Sequence, residues 1–332
     1  MTPDPHRIDV HHHVIPEVYL QALDQAGVSD PIKGVAYPHW SAGADLDLMD
    51  RHGIRTAVVS ITAPGVAFVD GAQAAYVARA TNDAMAQLIT DHPGRYGAFA
   101  LVPLPDVDAA LREIDYALDA LGLDGVGLFT NHRGTYLGDP HFEPLFAALA
   151  ERDALIHVHP ATPAATDQPG FGLPTSLYEF PFDTTRMVAN LLYSGTLDRH
   201  PGLRIILSHA GGAVPFLAQR LTYAATINPQ LRGRQPRDLL ASLRRLYYDT
   251  AMSANRPTLS ALTALIDTDH ILFGTDYPFM PESTTAETIA GAGDFFDADA
   301  LRAVERDNAA ALLPRLARLP TSVASRALRS PY

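Results

Sequence analysis

The sequence predicts an α/β fold of the (β/α)8 class, a TIM barrel in which strands and helices alternate. Three observations support this prediction: short apolar runs recur along the chain, helical stretches separate them, and histidines or an aspartate stand where several runs end. Alternation of strands and helices favours parallel strands joined by right-handed crossovers. Eight such units favour a closed barrel, and an open doubly wound sheet is the alternative.

The predicted strands are rich in valine, isoleucine and aromatic residues. They are Ile8–His13, Thr56–Ile61, Tyr96–Val102, Gly125–Phe129, Leu155–His159, Arg204–His209, Leu246–Thr250 and Ile271–Asp276. Between them, Ala109–Leu121 and Pro140–Arg152 show the apolar spacing of helices, and Asp139 fits an N-cap followed by proline at the first helical position. The first strand leads into three histidines rather than a glycine-rich phosphate motif, which disfavours a dinucleotide-binding fold.

The chain has 332 residues, a length at which α/β barrels commonly form one domain. No Pro/Gly/Ser-rich linker divides it and no internal repeat stands out. We therefore expect a single domain over residues 1–332, with a core at about 8–316 and a C-terminal tail at 317–332. The polar, basic end Thr321–Tyr332 is expected to be frayed or to serve as a packing arm.

The charge and composition exclude several classes of function. Twenty-five basic and 37 acidic side chains give a net charge of −12, which disfavours nucleic-acid and anionic-membrane partners. The chain has no cysteine, so disulfides, thiolate catalysis and cysteine-based zinc sites are ruled out. Neither a secretory signal nor a membrane-spanning apolar run is visible, so we expect a cytoplasmic protein with a small-molecule partner.

Five polar side chains fall at the carboxyl ends of predicted strands one, five, six and eight. They are His11, His13, His159, His209 and Asp276. In a barrel these strand ends surround one mouth, so residues distant in sequence converge there. Because side chains alternate along a strand, His11 and His13 point the same way and His12 points oppositely.

Three imidazoles and one carboxylate make a ligand set that suits a catalytic metal site with room for water or substrate. The predicted ligands are His11, His13, His159 and Asp276, with His209 beside them. Zn²⁺ fits this set best, and Mn²⁺ or Fe²⁺ are alternatives. A single buried histidine is usually a core residue, but five coincident strand-end positions are hard to explain by packing. His12 is expected to pack or support, and His157 to orient a ligand or fill the barrel.

Two long segments after strands are candidate substrate walls, because such loops build the active face of a barrel. They are Pro16–Leu48, after the first strand, and Pro160–Asp183, after the fifth. Aromatic residues that could supply apolar walls, or alternatively pack in the core, are Trp40, Tyr178, Phe180, Phe182 and Phe279.

Four linked motifs resemble those of the amidohydrolase superfamily. They are IDVHHHVIP, LIHVHP, LSHAGGAVPFLAQR and ILFGTDYPF, and the similarity runs from about Ile8 to about Leu316. They resemble most closely the decarboxylase branch, typified by enzymes for aminocarboxymuconate semialdehyde and especially 6-methylsalicylate. The resemblance implies that the predicted ligands bind a metal and that His209 is a catalytic imidazole. Strand four ends in Phe129 without a lysine, which implies a one-metal site.

The resemblance also implies that Arg220 contacts the substrate carboxylate from a neighbouring subunit, and hence a homodimer. The alternative is that Arg220 is an ordinary surface arginine. The muconate enzymes carry a substrate-binding arginine before strand two, whereas the stretch Asp45–Asp50 has none. The muconate semialdehyde is therefore disfavoured. The segment EFPFDTTR, with Arg186, is more similar to the 6-methylsalicylate type.

The function expected from these features is metal-dependent, non-oxidative decarboxylation of an ortho-hydroxybenzoate. Such an acid can chelate the metal, and protonation of the carbon bearing the carboxylate permits loss of CO₂; His209 and Asp276 are the candidate proton donors. The alternative is hydrolysis of a lactone or amide by metal-bound hydroxide. A non-catalytic metal-binding protein is a third, less favoured interpretation.

Overall fold

The computed structural model describes residues 6–32, 34–163, 171–228, 231 and 235–317. Its main feature is one eight-stranded sheet, in which each strand pairs with the next along the chain. The paired strands are parallel. In chain order they are β1 (Arg7–His13), β2 (Ile54–Ser60), β3 (Tyr96–Leu101), β4 (Gly125–Phe129), β5 (Leu155–His159), β6 (Arg204–Leu207), β7 (Tyr247–Asp249) and β8 (Ile271–Leu272).

Hydrogen bonds between β1 and the segment that continues from β8 close the sheet into a barrel. Val10 N–H donates to the Phe273 carbonyl at 2.9 Å, and His13 N–H donates to the Tyr277 carbonyl at 2.7 Å. In the other direction, Asp276 N–H donates to the His11 carbonyl at 2.8 Å. The (β/α)8 prediction is therefore confirmed, and the open-sheet alternative is wrong.

Helices fill the connections between the strands. The α-helices are Glu17–Gln25, Ala42–Arg51, Gly71–Asp91, Val107–Asp115, Glu143–Glu151, Thr175–Ser194, Thr196–Arg199, Val214–Leu221, Ala224–Ile227, Pro236–Arg244, Arg256–Leu265, Glu282–Phe295, Ala298–Arg302, Asn308–Leu312 and Pro314–Ala317. Short 3₁₀ helices are Pro140–Phe142, His209–Gly211 and Thr268–His270. The π-helical segments are Tyr116–Ala120 and Ala303–Asp307. A separate two-stranded ribbon pairs Asn131–His132 with Thr135–Tyr136. The Asp139 carboxylate accepts from His141 N–H, as expected of an N-cap.

The two segments predicted as long loops are partly helical. Pro16–Leu48 contains the helix Glu17–Gln25 and the start of Ala42–Arg51, whose N-cap Ser41 accepts from Ala44 N–H. The second segment becomes helical at Thr175, and Pro181 lies inside that helix. Residues 164–170, together with the predicted tail Thr321–Tyr332, lie outside the described residues.

Apolar packing fills the interior of the barrel, where Phe99 lies against His157. One buried cluster joins Ile8, Val58 and Phe99 of the strands to Leu312 and Leu316 near the C-terminus. Burial of apolar surface of this kind is the dominant favourable term in folding. Every helix within the described ranges is too short or too polar to cross a bilayer.

Candidate metal centre

Four of the predicted site residues meet at the carboxyl ends of β1, β5 and β8. Ligand atoms of His11, His13, His159 and Asp276 all lie within 4.8 Å of one another, and the four residues are buried. His11 Nε2 is 3.2 Å from His13 Nε2, and Asp276 Oδ1 is 3.0 Å from His13 Nε2 and 3.3 Å from His11 Nε2. Donor atoms bound at about 2.1 Å to one ion have spacings of this size.

The three imidazoles are each fixed through Nδ1. The acceptors are the Asp249 carboxylate for His11 (2.7 Å), the Ser60 carbonyl for His13 (3.3 Å) and the Pro160 carbonyl for His159 (2.8 Å). An Nδ1–H that donates to such an acceptor leaves Nε2 with its lone pair free to bind a metal. The donor set therefore suits one divalent ion held by three Nε2 atoms and one carboxylate.

Electrostatics around the cluster favour an ionised carboxylate. Burial opposes ionisation of Asp276, but hydrogen bonds with His11 and His13 hold the pKa of its carboxyl well below the ordinary value. Burial alone would lower the pKa of His11, whereas Asp249 and Asp276 raise that pKa to about 10. Burial lowers the pKa of His13 and His159. An ion bound here would therefore replace the proton on His11.

His209 lies beside the four residues, although it is not in a strand as predicted. Strand β6 ends at Leu207, and His209 opens a 3₁₀ turn with a φ of 54°. Its ring centroid lies 4.8 Å from that of His11 and 5.8 Å from that of His159. Its Nδ1 is 3.2 Å from the Ala251 carbonyl, and burial lowers the pKa of the imidazole.

The turn after β6 requires glycine. Gly212 has a φ of +64°, and a Cβ there would lie 2.1 Å from the Pro181 carbonyl oxygen. The Asp249 carboxylate fixes the same turn, because it accepts from His209 N–H at 2.8 Å. The SHAGG motif thus places an imidazole at the centre and brings the helix that contains Pro181 close to it.

Asp249, at the end of β7, was missed by the sequence analysis. It is fully buried and contacts His11, His209 N–H and, at 3.7 Å, His157 Nε2. With His11 and His157, Asp249 forms a second group whose spacing could hold a metal ion. Its short contact with His11 Nδ1 shows that its main role is to orient the His11 ring. The strand-end rule applied to the predicted strand Leu246–Thr250 would have found it.

Asp249→Asn is expected to weaken divalent-metal affinity about 10- to 100-fold, because the amide supports the His11 imidazole less strongly. Metal titration monitored by calorimetry measures this change. Asp269→Asn is the matched control, since Asp269 pairs with His270 at 2.8 Å on the surface. Equal metal affinities in the wild type and Asp249→Asn would contradict the orienting role.

The opposite side of β1 carries a buried polar network. His12 Nδ1 lies 3.0 Å from Asp9 Oδ2, and His12 Nε2 lies 2.7 Å from Asp45 Oδ1. Asp9 also accepts from His11 N–H at 3.0 Å and from the Thr275 hydroxyl at 2.6 Å. The network ties the ligand-bearing ends of β1 and β8 together, which agrees with the supporting role expected for His12.

His157 lies deeper in the barrel than His159. Its ring stacks on Phe99 with centroids 5.2 Å apart and an interplanar angle of 14°. Its Nε2 lies 3.3 Å from the Ser208 hydroxyl. Burial lowers the pKa of the imidazole to about 4, so His157 is a neutral, packed residue of the barrel interior.

Aromatic rings surround the cluster. Phe279 lies edge-on to His13 at 5.4 Å between centroids, and Phe180 lies edge-on to His159 at 5.9 Å. Tyr37, which the sequence analysis did not single out, contacts Phe279 at 5.1 Å. These rings form an apolar wall beside the centre, which suits an aromatic ligand.

The other predicted substrate-binding residues differ in their exposure to solvent. Trp40 and Tyr178 are half-buried, Phe182 is 48% exposed, and Arg220 is exposed on the helix Val214–Leu221. Arg186 is half-exposed and lies 3.5 Å from Glu179 and 3.8 Å from Asp183. Their predicted contacts with substrate stay predictions.

A buried carboxylate holds the segments that follow β4 and β5. Asp183 accepts from the Thr130 hydroxyl, from Asn131 Nδ2 at 2.8 Å and from the Tyr136 hydroxyl at 2.5 Å. The Thr130 hydroxyl oxygen in turn accepts from Ala161 N–H at 2.9 Å. The helix that contains Asp183 is thereby joined to the backbone next to His159.

Asp183→Ala is expected to lower the free energy of unfolding by about 3 kcal/mol, because several buried donors lose their acceptor. Urea unfolding followed by circular dichroism measures the loss. Asp183→Asn keeps one acceptor oxygen and should lose less. A change below about 1 kcal/mol in the alanine variant would mean that the donors find other acceptors.

Fold and site together define a (β/α)8-barrel protein with a buried centre of three histidines and one carboxylate at the carboxyl ends of its strands. The chain belongs to the amidohydrolase family, whose model matches residues 8–315. The family resemblance of the sequence motifs is therefore confirmed.

Curated relatives and solved structures agree with this assignment. The chain is 39% identical to 6-methylsalicylic acid decarboxylase of Penicillium expansum, over 93% of this chain and 97% of that protein. It is 40% identical to the enzyme of the same name from Aspergillus aculeatus, over 94% and 97%. The crystal structure of 2,6-dihydroxybenzoate decarboxylase complexed with 2,6-dihydroxybenzoate matches with a TM-score of 0.77 and 26% identity, over 93% of this chain and 99% of that one.

Proposed function

We propose that this protein is a metal-dependent, non-oxidative decarboxylase of ortho-hydroxy aromatic carboxylic acids of the 6-methylsalicylate type. The observation that carries the proposal is the convergence of His11, His13, His159 and Asp276 within 4.8 Å, beside His209 and aromatic rings. The relatives named as decarboxylases of such acids support the substrate class.

The four clustered residues are the proposed ligands of one divalent ion, for which we propose Zn²⁺, with Mn²⁺ and Fe²⁺ as alternatives. These residues fit a divalent ion because each imidazole is held through Nδ1 and has Nε2 free to bind. In addition, Nε2 of His11, Nε2 of His13 and Oδ1 of Asp276 lie 3.0–3.3 Å from one another. When bound, such an ion supplies Lewis acidity to the carboxylate and hydroxyl oxygens of the acid and fixes the ring.

The proposed role of His209 is to carry a proton. Since burial lowers its pKa, the imidazole is neutral near pH 7, and Nδ1–H can donate to the Ala251 carbonyl while Nε2 remains free. Nε2 takes the proton of the substrate hydroxyl and delivers it to the ring carbon that bears the carboxylate. The bond to the carboxylate then breaks, its electron pair returns to the ring, CO₂ leaves, and the phenolate product gains a proton from water.

The alternative proton donor, Asp276, is less suited to that role. Its pKa is held well below the ordinary value of a carboxyl group, so it carries no proton at neutral pH. A carboxylate next to a bound cation would be ionised still more strongly. Asp276 is therefore assigned to metal binding, and the proton transfer to His209.

The proposed substrate pocket is formed by aromatic residues that face the cluster and by residues whose contacts with the substrate are expected. Phe279 and Phe180 face the cluster, while Trp40 and Tyr178 are assigned to the outer part of the mouth. Arg186 stays a candidate contact of the substrate. The ring of the acid would lie among these aromatic side chains, with its carboxylate toward the ligands.

The exposed apolar side chains support a homodimer. Phe216 is 84% exposed on the helix Val214–Leu221, and Phe182 is exposed on the adjacent helix Thr175–Ser194. Exposed apolar surface of this kind is characteristic of protein contacts. Arg220 follows Phe216 by one helical turn and so lies on the same face. We assign this face to a second copy, into whose centre Arg220 would reach.

Arg220→Ala is expected to raise KM for the carboxylate substrate about tenfold while kcat changes little, because a charge-assisted contact with the ground state is lost. Steady-state kinetics measure KM, and analytical ultracentrifugation gives the oligomeric state of the same sample. Arg237→Ala is the matched control, since the Arg237 side chain is 88% exposed. An unchanged KM would leave Arg220 as a surface residue.

The decisive experiment is an activity screen of the metal-reconstituted protein with salicylate-type acids and CO₂ detection. A panel of lactones is run beside it to test hydrolysis. CO₂ release from an ortho-hydroxy aromatic acid supports the proposal. Ring opening of a lactone without CO₂ release from any such acid would overturn it.

A further inference from the structure

A cavity of about 340 Å³ lies next to the metal centre. This volume falls within the range of small-molecule sites. Its described lining comes from the segment after β1 and from the ends of β2 to β5 with the segments that follow them, including Ala63, Val102, Phe129 and Ala161. None of the four clustered ligand residues lines it, so it is a neighbouring space rather than the metal site.

Phe129 borders both the cavity and the centre. Its ring lines the cavity and lies edge-on to His159, with the centroids 6.3 Å apart. Gly65 makes this ring position possible, because a Cβ at Gly65 would lie 2.3 Å from Phe129 Cε2. Ala161, two residues after His159, also lines the cavity. A ligand at the centre therefore has the cavity immediately beside it.

The cavity lining is mainly apolar, with Val66 and Leu104 among its residues. The arginine described in the lining already has partners, since Arg133 pairs with the Asp70 carboxylate and donates to the Val69 carbonyl at 2.6 Å. Asn131 is also satisfied, because it donates to Asp183 and accepts from Gly134 N–H.

The other polar side chains that the structure describes in the lining carry no positive charge. His132 is buried, and burial lowers the pKa of its imidazole to about 3, so it is neutral at physiological pH. Its Nε2 has no hydrogen-bond partner within the described ranges. Asp30, at the exposed side of the lining, adds a carboxylate. Among the described lining residues, a second anionic group would thus find no unpaired positive charge.

We propose that this cavity is the subsite for an uncharged, mainly apolar substituent on the ring of the aromatic acid, and that it excludes a second carboxylate. The inference rests on the proposed function and narrows its substrate class to monocarboxylic acids with an alkyl-type substituent. Affinity should increase with the length of that substituent, because each buried methylene contributes to binding.

The test compares 2-hydroxybenzoates that carry a methyl, a propyl or a carboxymethyl group at ring position 6. In the wild type, kcat/KM is expected to rise at least about fourfold from methyl to propyl, and to be more than about tenfold lower for carboxymethyl than for propyl. The test variant is Ala67→Phe, which fills the cavity from an exposed lining position, and the matched control is Ala290→Phe, on the exposed side of the helix Glu282–Phe295.

In Ala67→Phe the propyl-to-methyl ratio is expected to fall to about one or below, while Ala290→Phe keeps the wild-type ratio. Calorimetry of the products gives a second readout. In the wild type, 3-propylphenol should bind more tightly than 3-methylphenol, and this difference should disappear in Ala67→Phe. A wild-type ratio in Ala67→Phe, or preference for the carboxymethyl acid, would overturn the subsite. Absence of CO₂ release from all the acids would instead contradict the proposed function, and the phenol titrations would still decide whether the cavity binds the substituent.

Discussion

Replacing both His11 and His13 with alanine is expected to reduce bound metal below about one tenth of an equivalent and to lower turnover by at least about a thousandfold. The two imidazoles supply two of the four proposed ligands, and their Nε2 atoms are only 3.2 Å apart. The remaining His159 and Asp276 cannot retain an ion against exchange with water. Metal analysis by mass spectrometry and a CO₂ assay measure the two effects.

The same double variant must stay folded for this result to be informative. The pairing of β1 with β2 and the closure onto Tyr277 use backbone groups and not the two imidazoles, so both remain available in the variant. Circular dichroism should therefore show a native helix content. His141→Ala is the control, because His141 is an exposed imidazole that contacts the Pro105 carbonyl. Stoichiometric metal in the folded double variant would falsify the ligand assignment.

The barrel and the convergence of the ligands could be predicted because both depend on local patterns. Alternating apolar runs locate strands, and a parallel barrel gathers the carboxyl ends of those strands at one mouth. The side-chain period of two then places His11 and His13 together and His12 on the opposite side. The predicted bounds of β4 and β5 agree with the structure to the residue.

The details that sequence patterns missed depend on contacts between distant segments. His209 was expected at a strand end, but the approach of Pro181 to Gly212 and the hydrogen bond from Asp249 turn the backbone there. Likewise, a loop was expected up to Asp183, whereas the chain is helical from Thr175 despite an internal proline. Propensity is a weak guide where tertiary packing decides the backbone.

The helix that begins at Thr175 also sorts the aromatic residues into two groups. Phe180 is buried against His159, whereas Phe182 is 48% exposed. An extended loop would place residues two positions apart on the same side, but a helix rotates them by about 200°. The sequence could therefore offer both as candidate walls without distinguishing the one that faces the centre.

His209→Asn is expected to keep about one equivalent of metal and to lower turnover by about 10²- to 10⁴-fold, the usual contribution of a proton-transferring group. Asparagine is chosen because it tolerates the left-handed backbone at this position, where φ is 54°. The N–H of residue 209 can still donate to Asp249, so the orientation of His11 is preserved. Metal analysis and steady-state kinetics on one preparation separate binding from turnover.

The two possible failures of this prediction have different meanings. Loss of metal in His209→Asn would make the imidazole a fifth ligand, and its free Nε2 would no longer be available to carry a proton. Full metal with full turnover would return the proton transfer to Asp276, whose pKa would then have to rise when the anionic substrate binds. Only an intact centre with slow turnover agrees with a neutral imidazole that passes a proton from the substrate hydroxyl to the ring carbon.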